Sequence, residues 1–410
     1  MITTVGRYAL AFADQGLTAL LSLVVALSLI RLGTEEAFGA WVFWSNAVLV
    51  LGTAAAALTT VHLHRLPAGP AGRGGTERAI LSAGSALVVL AAILTAVAVL
   101  SLRPPLSIPE AIVFVPGTLL GLQARVLAAS RGRLGWAAVV STVVFAATVI
   151  GLAVGYAAGV GVTAGEVMLF QGIAQGLAGA WTQHRLARGS WARADRSTRR
   201  RWRVLLRRSP WPLIGGMAGE VSTRLHIFLV PAMAGTSALA AVAAAQTLLR
   251  PATLLAGSWA AAARVTLASA RGRGDGRAFL RIVAIGALAP AAATFALGCL
   301  VAAAWPFVSR HVYGGRFPGL EWTVLLWTAN MAVSCLVLAG GVTAQALGRL
   351  RASAWADIAA AAVCAIAMPA LLLTLPPGSA PGAMLLGGLV QVAVQWRVLR
   401  PALPGPSRRR

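Results

Sequence analysis

The sequence predicts an all-α polytopic membrane protein with about twelve transmembrane helices in two six-helix lobes. Of its 410 residues, 58% are hydrophobic and only 11% are charged, and the mean hydropathy is +0.78. A soluble domain carries about 25% charged residues, so an ordinary water-soluble globule is excluded. A transmembrane helix needs about 20 apolar residues, and the chain therefore has room for roughly a dozen spans.

A sliding hydropathy window places the predicted spans. They cover residues 9–30, 38–61, 79–101, 111–129, 134–157, 163–186, 211–232, 237–262, 279–304, 319–341, 352–374 and 378–399. The first span has Asp14 and Gln15 near its start, and no small-residue cleavage site follows it, so we expect a retained helix rather than a signal peptide. The predicted domains are an N-terminal six-helix lobe over 1–186, a basic cytoplasmic linker over 187–210, a C-terminal six-helix lobe over 211–399 and a disordered basic tail over 400–410.

The arginines predict the orientation of these spans. Every one of the 35 basic residues is an arginine, and with 11 acidic residues the formal net charge is +24. The two termini and the connections that follow even-numbered spans hold 29 arginines, whereas the opposite connections hold four. Arginine is enriched in cytoplasmic loops. The sequence therefore predicts a multi-pass protein of the cell membrane with both termini in the cytoplasm, N-in and C-in.

The linker concentrates this charge. Its arginines alternate with Trp191, Trp202 and the run from Val204 to Leu206, a spacing that fits a basic amphipathic helix on an anionic membrane surface. We expect anionic lipids as partners and no nucleic acid, because the flanking spans hold the linker at the membrane.

Two pairs of predicted cytoplasmic connections resemble each other at equivalent places in the two lobes. Residues 73–81 are similar to 273–280, and Gly132-Arg133-Leu134 with Trp136 is similar to Gly348-Arg349-Leu350 with Trp355. Glycine and arginine are common in such loops, so either pair alone is weak. Their shared position favours two parallel repeats around a central cavity, an arrangement that transporters use.

Ionisable side chains inside spans are costly and are candidates for function. Glu220 and Arg224 lie four residues apart in the seventh span, on one helical face. Arg250 precedes Pro251 in the eighth span and has no acid at helical spacing. Both arginines fall about 18–20 Å from the predicted inner ends of adjacent spans. Together they would make a net positive site that fits a phosphate group. A simple neutralisation of Arg224 by Glu220 is the alternative.

Further polar side chains complete the predicted cavity. The candidate substrate-binding residues are Arg224, Arg250, Glu220, Gln246, Asp14, Gln15 and Asn46. Hydrogen bonds between helices are the alternative role for the uncharged members. Near the start of the eleventh span, Asp357 is expected to meet Arg349 or Arg351.

Enzymatic chemistry is not expected. The chain contains no lysine, which excludes the Walker lysine of ATP-hydrolysing proteins. Its few acids offer no close carboxylate pair at a plausible catalytic cleft. The neighbourhood of His62 and His64 has too few ligands for a metal site, and the long spacings of the three cysteines indicate neither a disulfide nor a zinc site. We expect no cofactor.

A family resemblance begins at the N-terminus. Residues 7–10 (Arg-Tyr-Ala-Leu) lead to 14–17 (Asp-Gln-Gly-Leu), and after an apolar run residues 31–39 contain Arg-Leu-Gly, Glu-Glu and Phe-Gly. This pattern resembles the start of the oligosaccharide flippases in the multidrug/oligosaccharidyl-lipid/polysaccharide exporter superfamily. Gln345 with Gly348-Arg349 also resembles that family, as does the plan of two six-helix lobes joined by a basic connection.

The resemblance implies alternating access by two lobes and transfer of a polyprenyl-pyrophosphate-linked oligosaccharide from the inner to the outer leaflet, for cell-surface polysaccharide assembly. The pyrophosphate would need a cationic cavity, to which Arg224 and Arg250 would contribute. A polysaccharide polymerase and glycosyltransferases would be further partners. The N-terminal lobe departs from this pattern, because its predicted spans carry no arginine at mid-membrane depth.

Three other functions compete with this one. A cation-coupled drug antiporter of the same superfamily would need a lobe lined with carboxylates. The sequence offers few candidates for these carboxylates: Asp14, Glu220 and Asp357. A major-facilitator transporter would carry a Gly-Asp-Arg-Arg-type element, which is missing between Val61 and Ala79. A non-transporting scaffold for polysaccharide assembly would have a centre filled with side chains.

Overall fold

In the computed structural model, residues 4–65, 74–158, 162–187, 196–207, 209–250 and 270–400 are described, together with short pieces between 256 and 267. The regular structure of these residues is helical throughout. The chain divides into two compact units, an N-terminal unit of Met1–Leu213 and a C-terminal unit of Ile214–Arg410.

In its described part, the N-terminal unit contains six long α-helices and one short α-helix. They are α1 (Thr4–Leu32), α2 (Glu35–Leu58), α3 (Gly74–Ser101), α4 (Ala111–Ser130), α5 (Leu134–Ala157), α6 (Ala164–Ala187) and α7 (Arg196–Leu206). Helices α1 to α5 are long and apolar enough to cross a membrane. Helix α6 has the length of a span, but its glutamines lower its hydropathy. Helix α7 lies in the predicted linker, of which residues 188–195 and 208 are outside the described part.

Among the residues that the structure describes, the C-terminal unit contains six α-helices of 12 residues or more. They are α8 (Pro210–Ala234), which starts just before the unit boundary, α9 (Thr236–Thr247), α10 (Gly276–Ala303), α11 (Glu321–Leu347), α12 (Leu350–Thr374) and α13 (Ala380–Leu399). Helices α10, α11, α12 and α13 bring the membrane-length apolar helices among the described residues to nine. The predicted all-α class is confirmed. The predicted tail, residues 401–410, lies outside the described residues.

The eighth predicted span, 237–262, is described only in part. Helix α9 ends at Thr247. Residues 248 and 249 form a turn that interrupts the helix, and Arg250 and the described residues between 256 and 260 are helical again. Residues 251–255, 258 and 261–262 of the predicted span lie outside the described part.

Two of the repeated connections have the same backbone structure. Gly132 ends α4 at a φ of 68° and Gly348 ends α11 at a φ of 72°, the left-handed region that favours glycine. The N–H of Arg133 donates to Ala128 O at 2.9 Å, and that of Arg349 donates to Ala344 O at 2.8 Å. The similarity predicted from Gly-Arg-Leu is therefore structural. For the other pair, residue 73 lies outside the described part.

Glycines allow α4 and α6 to pack closely. A Cβ at Gly172 would lie 2.6 Å from the Cα of Phe114, and a Cβ at Gly117 would lie 2.1 Å from the carbonyl oxygen of Gly172. Gly176, one turn along α6, has room, because a Cβ there would be 3.5 Å from the Cα of Gly117. Small residues at such contacts let helix backbones approach each other in membranes.

Substituting these glycines will therefore have opposite effects. Gly172→Ala is expected to destabilise the protein by about 1–3 kcal/mol, because the added methyl group forces α4 and α6 apart. Gly176→Ala serves as the matched control and is expected to be neutral or to stabilise by up to about 1 kcal/mol, since alanine has the higher helix propensity. Thermal unfolding of the purified variants measures both. Equal melting temperatures would contradict the packing described for α4 and α6.

Candidate functional site

In the C-terminal unit, α8 presents an ion pair on one face. Arg224 Nε donates to Glu220 Oε2 at 2.5 Å, across one helical turn, and both side chains are half-buried. The acid precedes the base along the helix, the favourable order for such a pair. Arg224 lies ten residues from Ala234, the end of α8 that leads to α9, or about 15 Å along the helix axis.

Arg250 lies at the break in α9 and is half-buried. Its guanidinium is close enough to Arg224 for the two charges to act on each other. Gln246 is one turn earlier in the sequence, in the last turn of α9, and its backbone carbonyl accepts the N–H of Leu249 at 3.0 Å. The structure thus brings together two arginines that are 26 positions apart, against the single carboxylate of Glu220.

Two aromatic side chains hold the end of α9. Tyr313 Oη donates to Ala244 O at 3.0 Å, and Trp327 Nε1 donates to Val242 O at 2.9 Å. Both rings are fully buried. A helix leaves its last carbonyls without intrahelical partners, and Tyr313 satisfies one of them inside the protein. The two aromatic residues therefore stabilise the broken helix beside Arg250.

Tyr313 belongs to the connection between α10 and α11, part of which is buried and part exposed. Trp305 Nε1 donates to Phe317 O at 3.0 Å, and both residues are buried with Tyr313. Burial raises the pKa of the Tyr313 phenol above its usual range, although the positive charge of Arg250 opposes this effect. The phenol therefore stays protonated and keeps donating to Ala244.

His226 packs beside this group on α8. Its ring lies edge-to-face against Trp327, with the ring centroids 5.3 Å apart. The side chain is buried, and Nδ1 has no hydrogen-bond partner in the described part of the chain. Arg224, two positions earlier, acts on it electrostatically. The polar cluster of the C-terminal unit therefore draws on α8, α9, α11 and the α10–α11 connection.

The N-terminal unit contains a second polar cluster, centred on Asp14 of α1. Arg125 of α4 donates from a terminal guanidinium nitrogen to Asp14 Oδ2 at 2.6 Å, and Ser141 of α5 donates to Asp14 Oδ1 at 2.6 Å. The neighbouring Gln15 donates to Asp14 Oδ2 at 3.4 Å. Asp14 is buried, and its negative charge is balanced by Arg125.

Arg125 requires a correction to the arginine placement. It was counted with the cytoplasmic connection after the fourth span, but α4 continues to Ser130 and places Arg125 about 8 Å inside the end of the helix. The N-terminal unit therefore carries a cation within a spanning helix. Its partner Asp14 is 111 positions away, so no local sequence spacing could have revealed the pair.

The remaining predicted residues have other contacts. Asn46 donates to Val42 O within α2 at 2.8 Å. Asp357 was expected to meet Arg349 or Arg351, which is wrong: Gln391 of α13 donates to Asp357 Oδ1 at 2.5 Å. Arg349 instead donates to Val398 O at 3.3 Å, because the end of α13 packs beside the start of α12.

The described residues contain no group of three or more His, Cys, Asp or Glu side chains that could hold a metal ion. Cys299, Cys335 and Cys364 are free.

Solved structures similar to this chain cover nearly all of it. The eukaryotic MATE transporter AtDTX14 matches with a TM-score of 0.65 and 14% identity, covering 95% of this chain and 94% of its own. An outward-facing multidrug resistance MATE family transporter of the MOP superfamily matches with a TM-score of 0.60 and 12% identity, and the match covers 98% of this chain and 95% of that transporter.

A third match is a MOP superfamily transporter from Pyrococcus furiosus that is described as having a binding pocket of reverse polarity. Its TM-score is 0.61 and its identity 14%, and the match covers 97% of this chain and 94% of that transporter. The chain has the MATE transporter fold. No protein-family model matches the sequence, and no curated protein does. The predicted two-lobe fold is confirmed, and so is the likeness to the superfamily at the level of the fold. The flippase branch is not among the structures compared above.

Two variants will test the contribution of the ion pair between Asp14 and Arg125 to stability. Arg125→Ala is expected to destabilise the N-terminal unit by roughly 3 kcal/mol, because it leaves a buried carboxylate without a cation. Asp14→Asn combined with Arg125→Gln removes both charges and is expected to recover most of that loss. The free energy of unfolding in detergent is the measurement. If the double variant is as unstable as Arg125→Ala, the ion pair does not explain the loss.

Proposed function

We propose that this chain is a membrane transporter that works by alternating access. The observation that carries the proposal is its likeness, over 98% and 94% of its length, to an outward-facing and an inward-facing conformation of a multidrug resistance MATE family transporter. A fold that supports both conformations in a similar protein is suited to exposing one site to each side of the membrane in turn.

The comparisons favour small-molecule export coupled to a cation. Several similar structures are multidrug or MATE transporters, and the described spans contain carboxylates that such coupling needs. Asp14 is buried in α1, and Asp357 lies in α12. This function was the alternative at the sequence level, and we now place it first.

The arginines favour a second candidate, the flipping of a polyprenyl-pyrophosphate-linked oligosaccharide. Arg224 and Arg250 outnumber Glu220 in the C-terminal cluster, so its net charge is positive. Guanidinium groups bind phosphate through paired, charge-assisted hydrogen bonds. The similar transporter from Pyrococcus furiosus, with its pocket of reverse polarity, supports the idea that this fold accepts more than one charge pattern.

One assay in proteoliposomes distinguishes the candidates. The native chain is tested for efflux of a cationic dye and for translocation of a fluorescent polyprenyl-pyrophosphate oligosaccharide. Dye efflux alone supports the first candidate, and translocation of the lipid alone supports the second. A chain that moves neither probe fits the scaffold function instead.

Two arginine variants test whether the C-terminal cluster takes part in translocating the lipid-linked oligosaccharide. If the lipid-linked oligosaccharide is the substrate, Arg224→Ala and Arg250→Ala are each expected to slow its translocation by about tenfold or more, equivalent to losing at least one charge-assisted hydrogen bond. Arg310→Ala, which removes an exposed arginine of the α10–α11 connection, is the control and should be unaffected. Unchanged translocation in both test variants would remove these residues from the mechanism.

Anionic lipids are proposed as partners through α7. Trp202 Nε1 donates to Leu58 O at 3.3 Å, and Leu205 packs against a buried cluster that includes Leu63 and Ile80. These contacts hold α7 at the ends of α2 and α3, where headgroups lie. Its five arginines are exposed: Arg196, Arg199, Arg200, Arg201 and Arg203. Each basic residue near an anionic surface contributes about 1 kcal/mol.

Added phosphatidylglycerol is therefore expected to raise the melting temperature of the detergent-solubilised protein more than phosphatidylcholine does. Arg199→Gln combined with Arg203→Gln should reduce that difference. The control combines Arg103→Gln with Arg310→Gln, two exposed arginines from the connections predicted on the other side, and should retain it. An equal response of the three proteins would exclude α7 as the lipid-binding element.

A further inference from the structure

The helical stretch that begins with α9 is interrupted beside Arg250. Helix α9 ends at Thr247, residues 248 and 249 form a turn, and Arg250 is helical again. Both turn residues are leucine, a good helix former. The next residue in the sequence, Pro251, has no N–H, so in any helix here the carbonyl of Thr247 lacks its donor. That lack does not extend to the carbonyls earlier in α9.

One of these earlier carbonyls accepts from a side chain in place of its helical donor. In a continuous helix the N–H of Leu248 would donate to Ala244 O, but here it is directed to Gln246 O. Tyr313 Oη donates to Ala244 O instead, at 3.0 Å. Tyr313 is fully buried. Its hydroxyl therefore takes the place of a backbone donor at the point where the helix is interrupted.

The connection that carries Tyr313 has an unusual backbone conformation. Residues Val308–Val312 form a π-helix, and Phe317 has a φ of 55°, in the left-handed region that a bulky side chain rarely adopts. Phe317 is buried, and its carbonyl accepts from Trp305 Nε1 at 3.0 Å. Costly conformations of this kind persist only where contacts fix them, and they occur often at functional sites. The connection therefore presents the Tyr313 hydroxyl at one fixed place.

The turn at 248–249 is close to helical geometry. Leu248 has a φ of −75° and a ψ of −14°, within the right-handed helical region, where a regular helix has values of about −63° and −42°. The stretch 244–250 contains no glycine or proline. A continuous helix is therefore near in backbone angles, and the bond from Tyr313 is one that a continuous helix would not need.

Arg250 directly follows this turn, so its position depends on the turn. The charge of Arg250 and the phenol of Tyr313 are near enough to act on each other, and Arg224 acts on Arg250 as well. The phenol is neutral and adds no charge to the two arginines. The hydroxyl that bonds to α9 and the guanidinium that follows the turn therefore belong to one cluster.

We propose that the Tyr313 hydroxyl holds the helix of α9 open at residues 248–249 and thereby sets the position of Arg250. When the hydroxyl leaves Ala244 O, the N–H of Leu248 donates to that carbonyl and the helix becomes continuous through Arg250. Tyr313 is a positioning residue, because it acts on Arg250 through the backbone. The closing of the turn is independent of what the chain transports, whereas its effect on a substrate rests on the second candidate function.

Hydrogen–deuterium exchange of the purified protein tests the turn without any substrate. Tyr313→Phe keeps the ring and removes the hydroxyl. The backbone amides of residues 248–250 are expected to exchange about threefold or more slowly in this variant, because they gain helical hydrogen bonds. A role in stability alone predicts the opposite sign, since the loss of a contact speeds exchange. Faster or unchanged exchange at 248–250 would overturn the proposal.

Two further variants complete this test. Trp327→Phe removes the other aromatic donor to α9, but its acceptor, Val242 O, lies within the helix, so exchange at 248–250 is not expected to slow. Equal slowing in this control would contradict the assignment to Tyr313. Trp305→Phe removes a bond within the connection and is expected to slow exchange less than Tyr313→Phe does. If Tyr313→Phe does not fold, slower exchange in Trp305→Phe supports the proposal, and faster or unchanged exchange overturns it.

The position of Arg250 is tested by translocation of the lipid-linked oligosaccharide. Tyr313→Phe is expected to slow it by about threefold or more and to add nothing when it is combined with Arg250→Ala, because both act on one group. Tyr156→Phe, at an exposed tyrosine of α5, is the control and should be unaffected. Additive slowing would contradict the positioning role. If the native chain moves no lipid, the second candidate function fails, and the exchange result still decides whether Tyr313 holds the turn.

Discussion

The cost of placing an ionised side chain within a membrane governs the polar organisation of this chain. An uncompensated charge in a spanning helix costs several kcal/mol, so the fold must pair it, bring it to water or neutralise it. Asp14 is paired with Arg125 across two helices, and Glu220 is paired with Arg224 along one. The two units differ in their further charged groups, because Arg250, after the end of α9, and Asp357, which accepts from Gln391 in α12, both lie in the C-terminal unit.

That asymmetry is informative because the two units share a plan. Equivalent glycine-arginine turns end α4 and α11, so differences at equivalent positions reflect the side chains rather than the backbone. The N-terminal cluster is neutral, with one acid and one arginine. The C-terminal unit separates its charges, with an excess of arginine near the end of α9 and an acid on α12.

Much of the fold followed from the sequence because the membrane imposes a length and a composition on each helix. The nine apolar helices matched predicted spans, and the repeated Gly-Arg-Leu turns were visible as a motif. The pair of Glu220 and Arg224 could also be predicted, since four residues is one helical turn. The turn that follows Thr247 at the end of α9 could not be predicted, because the hydropathy window averages over such a break.

The long-range contacts could not be predicted in the same way. Arg125 meets Asp14, and Gln391 meets Asp357, only because separate helices pack together. The burial of Trp305 and Tyr313 in the α10–α11 connection depends on carbonyl acceptors for both side chains, which no local pattern specifies. Within the candidate site, sequence reasoning therefore identified the charged residues but not the aromatic donors that position them.

Alternating access is the central claim, and side-specific labelling of one position tests it most directly. With Cys299, Cys335 and Cys364 replaced by alanine, a single cysteine at Gln246, beside the break in α9, is exposed to a membrane-impermeant thiol reagent from one side of oriented vesicles at a time. The account predicts labelling from either side, with a substrate or a pH gradient shifting the balance between them. Labelling from one side only under all conditions, or from neither, would contradict it.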